Sequence, residues 1–278
     1  MRKIGIFKGI FDPISQRELK EALSWMKDEK LSFIVFEIEN EATISISERK
    51  SLVKKAIKPY RKLLLDYNFH HDDVILHKEA SNIDEEEIRN GSFYLGARGI
   101  KKELLQKGYY FESAVKFHCN QKRYLHSLAV KDVCIDLASA SHLDQYVAST
   151  MGILHDITKN KPDEWNKAIL DIYDPKITSM SPKVWHSETA VFFLKKEMGL
   201  HDPRILNAIW HHTLGTGKSD YAKVLYIADK CEPTRGYDAS KELNLTRNSL
   251  KQGFDLCIKE SEAYRKKENA RKKKQKRS

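Results

Sequence analysis

Nowhere in the 278 residues does an apolar run approach the roughly eighteen needed to cross a bilayer. The opening MRKIGIFKGIFDP also breaks at Asp12-Pro13, where a signal-peptide core would continue. A cytoplasmic protein without membrane contact is the expectation. Cysteine is scarce: Cys119, Cys134, Cys231 and Cys257 include no CxxC pair, which argues against a zinc ribbon or a disulfide framework and leaves buried thiols. Internal repeats are missing, and low-complexity sequence is confined to the C-terminus. With 41% hydrophobic residues there is material for one large core or two ordinary ones.

A broad basic surface is missing too. The formal charge is +10, but Arg265–Ser278 holds nine Lys/Arg against one Glu, so +8 sits in the tail and +2 remains for everything before it. The tail lacks apolar residues apart from Ala270 and reads as solvated, disordered or a frayed helix. Weak nonspecific attraction to RNA or other polyanions is the alternative use for it.

The first ~110 residues alternate short apolar runs with helical stretches. Lys3–Phe7, Ser32–Ile38, Lys62–Asp66 and Asp73–His77 read as strands, and Gln16–Met26 and Ser47–Ile57 as helices, which predicts a small parallel-sheet α/β unit. Beyond Tyr110 the apolar spacing is helical in Tyr124–Ala138, Tyr146–Leu154, Val184–Met198, Ile205–Trp210 and Tyr221–Ala228. The boundaries expected are an α/β domain at 1–112, an all-α helical bundle at 113–263 and the basic tail at 264–278.

Each of those five helical stretches delivers a His or Asp among apolar neighbours: His126, the pair His155-Asp156, His186, His212 and Asp229. A buried imidazole or carboxylate beside Leu, Ile and Trp is costly unless it is paired or holds a cation. Singly, each is better read as a hydrogen-bonded core residue; the ordered set favours a metal site. Nitrogen and oxygen donors without thiolate suit iron, manganese, cobalt, magnesium or zinc. Six ligands exceed the need of one tetrahedral ion, so two divalent ions bridged by Asp156 are expected, and the donor set does not single out one metal. His70, His71, His77, His118, His142 and His201 read as surface residues. His211 is ambiguous, because one residue turns a helix by about 100° and would aim it away from His212.

The stretches RYLHSLAV, GILHDITK, the region around His186, HHTLG at His211–Gly215 and YIADKCEPTR at Tyr226–Arg235 resemble the HD-superfamily hydrolases of the YqeK type. Those are bacterial symmetrical bis(5'-nucleosyl)-tetraphosphatases, which cleave diadenosine tetraphosphate to two ADP. The resemblance implies metal-assisted attack of water on a phosphorus. Asp156 and Lys159 would take catalytic roles, and Lys159, Thr213, Gly215 and Arg235 would contact the substrate. A homodimer is compatible with it.

Lys3–Pro13 resembles the opening of nicotinate-nucleotide adenylyltransferases, with weaker likeness at Ile46–Ile57 and Ile83–Arg89. The resemblance implies a Rossmann-like nucleotidyltransferase fold, here truncated. The His-x-Gly-His motif of that family is replaced by Ser15, Arg17 and Glu18, and its phosphate-binding run by Asp84, Glu85 and Glu86. A carboxylate at Glu18 would repel triphosphate, so this domain reads as degenerate and inactive. Two other readings stay open. One is an HD phosphohydrolase of another nucleotide, such as a dNTP, a cyclic nucleotide or an alarmone. The other is a noncatalytic nucleotide- and RNA-binding adaptor.

Overall fold

A computed structural model describes residues 2–40 and 42–275. The chain divides into two units: the first runs to Ala114 and includes Lys195–Leu200, and the second holds Val115–Leu194 and His201 onward.

The first unit is built on four parallel strands: β1 (Lys3–Gly9), β2 (Phe33–Ile38), β3 (Leu63–Leu64) and β4 (Val74–Glu79), in the order β3-β2-β1-β4. β1 is central and nearly all buried, as expected of a parallel strand covered on both faces. Phe7, Phe11 and Phe36 cluster at its end with ring centroids 5.4–6.0 Å apart. The connections carry α1 (Gln16–Asp28) and α2 (Ile46–Ile57), and α3 (Glu85–Arg89) and α4 (Lys101–Lys107) follow β4. The strand expected over Lys62–Asp66 contracts to two residues. It lies at the sheet edge, where only Ile34 and Val35 of β2 offer ladder partners.

The segment after β1 behaves differently from the charge argument. Ser15 and Glu18 form a capping box at the start of α1, with the Ser15 amide donating to Glu18 Oε2 at 2.7 Å. Burial pushes the Glu18 carboxyl up to about 8. At neutral pH it is therefore largely protonated, which corrects the expectation of a repelling charge at that position. Asp84 is likewise buried and bound by Arg17 at 3.0 Å.

The second unit is helical: α5 (Phe111–His118), α6 (Gln121–Ala140), α7 (Gln145–Leu154), α8 (Asp163–Tyr173), α9 (Trp185–Phe193), α10 (Pro203–His211), α11 (Asp220–Cys231), α12 (Ser240–Asn248) and α13 (Leu250–Gln275). Side-chain caps start several of them: Asn120 for α6, Asp144 for α7, Asp202 for α10 and Ser219 for α11. Four helices, α5, α8, α12 and α13, carry none of the six candidate ligands. The stretch Val184–Met198 is not one α-helix, because it widens to a π-helical turn over Leu194–Met198 before Gly199 ends it at φ +69°. The basic stretch continues α13 as helix through Gln275, and residues 276–278 lie outside the described residues. His118, expected at the surface, is half-buried edge-on to Phe193, with ring centroids 4.9 Å apart. Among the described residues no helix is long and apolar enough to cross a membrane.

Candidate metal centre

Helix ends aim most of the cluster. His155 caps the C-terminus of α7 and Asp156 follows in the turn; His212 caps α10; His186 is the second residue of α9. His126 and Asp229 project from within α6 and α11. The register of the first pair depends on Gly152, where a Cβ would fall 2.7 Å from the Lys131 Cα. Only glycine lets α7 approach α6 that closely and bring His155 to His126. The turn carrying Asp156 is tied to α9 by Thr158, whose hydroxyl lies 3.0 Å from the His186 carbonyl and 3.0 Å from the Thr189 hydroxyl. The Cys119 thiol donates to the Asp156 carbonyl at 3.5 Å. Burial pushes that thiol up to about 12, so it stays protonated.

All six residues are buried, none more than 6% exposed. His126 Nε2 lies 3.3 Å from His155 Nε2 and 3.2 Å from Asp229 Oδ1. His186 Nε2 lies 3.2 Å from His212 Nε2 and 3.0 Å from Asp156 Oδ1. Asp156 faces both groups, since its Oδ2 is 3.5 Å from His155 Nε2 and its Oδ1 is 3.5 Å from His212 Nε2.

Outer partners decide what the imidazoles present. The Nδ1 of His126 meets Glu232 Oε1 at 2.8 Å and the Nδ1 of His155 meets the Gly152 carbonyl at 2.8 Å. Both partners only accept, so each Nδ1 carries the hydrogen. With neutral rings, two Nε2 lone pairs then face each other at 3.3 Å beside the carboxylate of Asp229. His212 is held the same way, its Nδ1 at 2.6 Å from the Ile209 carbonyl. Asp156 Oδ1 is buried and, despite two imidazole nitrogens nearby, accepts no hydrogen bond. Converging lone pairs and an orphaned carboxylate oxygen form the donor set of a cation site. The groups His126, His155, Asp229 and His155, Asp156, His212 each bring their atoms within metal-holding distance.

Charges agree. Burial alone would push the Asp156 carboxyl up, but the attraction of His155 and His186 in their protonated forms outweighs it and holds the carboxyl well below the carboxylate range. For Asp229, Lys230, His126 and Arg235 together outweigh burial to the same effect. Burial lowers His186 to about 4, which keeps it the neutral imidazole that a metal needs.

Lys159 follows Asp156 in a turn instead of a helix, its amide donating to the Asp156 carbonyl at 2.8 Å. Its Nζ lies 3.0 Å from His186 Nδ1, and burial lowers its affinity for a proton. Thr213 Oγ1 is 3.3 Å from the Nε2 atoms of His186 and His212. Arg235 forks onto Asp229, with Nη2 2.6 Å from Oδ1 and Nε 2.9 Å from the main-chain carbonyl. Gly215 packs instead against Tyr226 and Ile258, where a Cβ would come within 2.7 Å. His211 turns to Thr216, 2.7 Å away.

Sequence reasoning passed over two residues. Glu232 orients His126, and Arg123 donates to Asp156 Oδ2 at 2.6 Å. Their spacing was the available signal: Arg123 precedes His126 by one turn, and Glu232 follows Asp229 by three residues.

Residues 123–234 match the HD domain family. A symmetrical bis(5'-nucleosyl)-tetraphosphatase from Bacillus subtilis is 30% identical over 161 residues, covering 56% of this chain and 87% of that protein. The chain belongs to the family of HD-domain symmetrical bis(5'-nucleosyl)-tetraphosphatases. A probable nicotinate-nucleotide adenylyltransferase/Ap4A hydrolase from Mycoplasma pneumoniae is 29% identical over 162 residues, 55% of this chain and 47% of that protein. Among solved structures, a predicted HD superfamily hydrolase involved in NAD metabolism, from Clostridium acetobutylicum, superimposes with a TM-score of 0.54 at 25% identity. It covers 57% of this chain and 87% of that one. All five matched segments of the tetraphosphatase resemblance lie within or at the edge of the HD region, with the six candidate ligands inside it.

Proposed function

We propose that this hydrolase cleaves diadenosine tetraphosphate symmetrically to two ADP at a centre of two divalent ions, iron first among them. His126, His155 and Asp229 would hold one ion, His186 and His212 the other, with Asp156 bridging. The observation that carries the reading is Asp156, which turns one oxygen toward each histidine pair and leaves Oδ1 without a hydrogen. Such ions would supply Lewis acidity, lowering the pKa of a water and neutralising charge on the phosphates.

The protein's own groups do the positioning. Glu232 and the Gly152 carbonyl hold the imidazoles of His126 and His155 with Nε2 inward. Arg235 and Lys230 pin Asp229 from opposite oxygens, at 2.6 and 2.8 Å. Lys159 and Thr213, at the rim of the histidine set, are placed to meet phosphate oxygens. A cytoplasmic location suits a soluble nucleotide substrate.

The test is product identity. Purified protein supplied with ferrous or manganous ion should convert diadenosine tetraphosphate to ADP alone. AMP with ATP, or no turnover under any metal, would contradict the reading.

A further inference from the structure

We propose that the pocket walled by Tyr237 and Tyr264 seats one nucleoside of the dinucleoside polyphosphate and thereby selects nucleotides over bare polyphosphates. This rests on the hydrolase reading above and names the part of the molecule that recognises the substrate's ends.

The pocket has a volume of about 680 Å3, within the span of roughly 300–1,000 Å3 usual for small-molecule sites. Three of its lining residues also touch the ligand set, so the pocket borders the metal centre. Thr213 Oγ1 stands 3.3 Å from His186 Nε2, Lys230 Nζ 2.8 Å from Asp229 Oδ2, and Arg235 Nη2 2.6 Å from Asp229 Oδ1. Away from the centre its character changes. Tyr237 is 53% exposed and Tyr264 68% exposed, both in the same wall. The Tyr237 hydroxyl donates to the Lys230 carbonyl, which fixes the ring while leaving its face open. Two half-exposed aromatic rings are an unspent stacking surface, and any nucleobase has a face to offer them.

The remaining lining fits the same ligand. Cys231 and Cys257, with sulfurs 3.8 Å apart, also line it. Glu260 supplies the one carboxyl of the lining. Lys230, Arg235 and Arg265 give three cations against that one acid, a balance suited to phosphates running toward the centre. Tyr264 and Arg265 lie on α13, beyond residues 123–234 of the HD domain match. Nucleoside recognition is thus supplied by the terminal helix, and the first basic residue of the tail takes part in it.

The test is binding, read by calorimetry on the full chain in manganous ion, with ADP and inorganic pyrophosphate as probes. Wild type should bind ADP about tenfold more tightly than pyrophosphate; Tyr264→Ala should lose about that factor for ADP and shift pyrophosphate by less than about twofold. Tyr264→Phe should keep ADP affinity. Because Tyr264 is largely exposed, its truncation does not threaten the fold. Equal binding of the two probes by wild type, or unchanged ADP affinity in Tyr264→Ala, would overturn the proposal. A chain that fails to cleave diadenosine tetraphosphate yet loses ADP affinity on Tyr264→Ala would break the substrate assignment and uphold the pocket.

Discussion

In the first unit Asp12 is buried with Tyr110 donating to one oxygen and the Thr43 amide to the other, each at 2.7 Å. Glu18 caps a helix and Asp84 pairs with Arg17. In the second unit Asp156 is just as buried, yet one of its oxygens has no hydrogen to accept and faces two imidazole nitrogens. Burying a carboxylate is a cost in either place. Where protein donors offset it in full, the residue is structural. Where the offset is left incomplete and lone pairs converge, a cation supplies the remainder. In the first unit the segment that resembles a transferase motif turns its polar residues inward on one another.

The contrast can be broken by substitution. Asp156→Ala should lower hydrolysis by about a thousandfold or more, since it removes the group shared by both ion positions. Glu18→Gln, at the segment resembling a transferase motif, should leave turnover unchanged. Equal losses in an activity assay would end the distinction between the two units. Glu232→Gln should cost about 10–100-fold in metal affinity or activity, because the His126 ring loses its anchor while every direct ligand remains. Titration of metal-free protein with manganous ion measures that loss, and an unshifted curve would remove Glu232 from the site.

The smallest effect sharpens the other side of the comparison. Burial raises Glu18 to about 8, so the folded chain holds that proton more tightly than the unfolded one. The stability it contributes is full below about pH 4.5 and falls as pH rises through about 8. Thermal melts of the wild type should decline by several degrees across that window. Glu18→Gln should flatten the decline, and an unchanged slope would show that Glu18 does not carry it.

The six buried candidates were legible because each stood alone among apolar neighbours, where a polar group needs a reason. Arg123 and Glu232 were not, since they sit at a helix start and just past a helix end, among other charges, where a charged residue is ordinary. Four strands and the ligand-bearing helices followed from periodicity. The π-helical turn at Leu194–Met198 left no mark, because its residues keep a helical apolar spacing. The sequence also showed an acidic side chain at position 18 but not its burial, and the charge argument built on it failed for that reason. Tyr237 and Tyr264 carried no local signal; only folding brings α13 to the edge of the centre.

The central claim is that Asp156 bridges two ions held by histidines. Metal analysis of the purified chain beside its Asp156→Ala variant tests it most directly, with circular dichroism to show that both are folded. The account predicts two divalent ions per wild-type chain and at most one in the variant. Equal metal content in the two proteins, or none in a folded wild type exposed to excess ferrous and manganous ion, would contradict it.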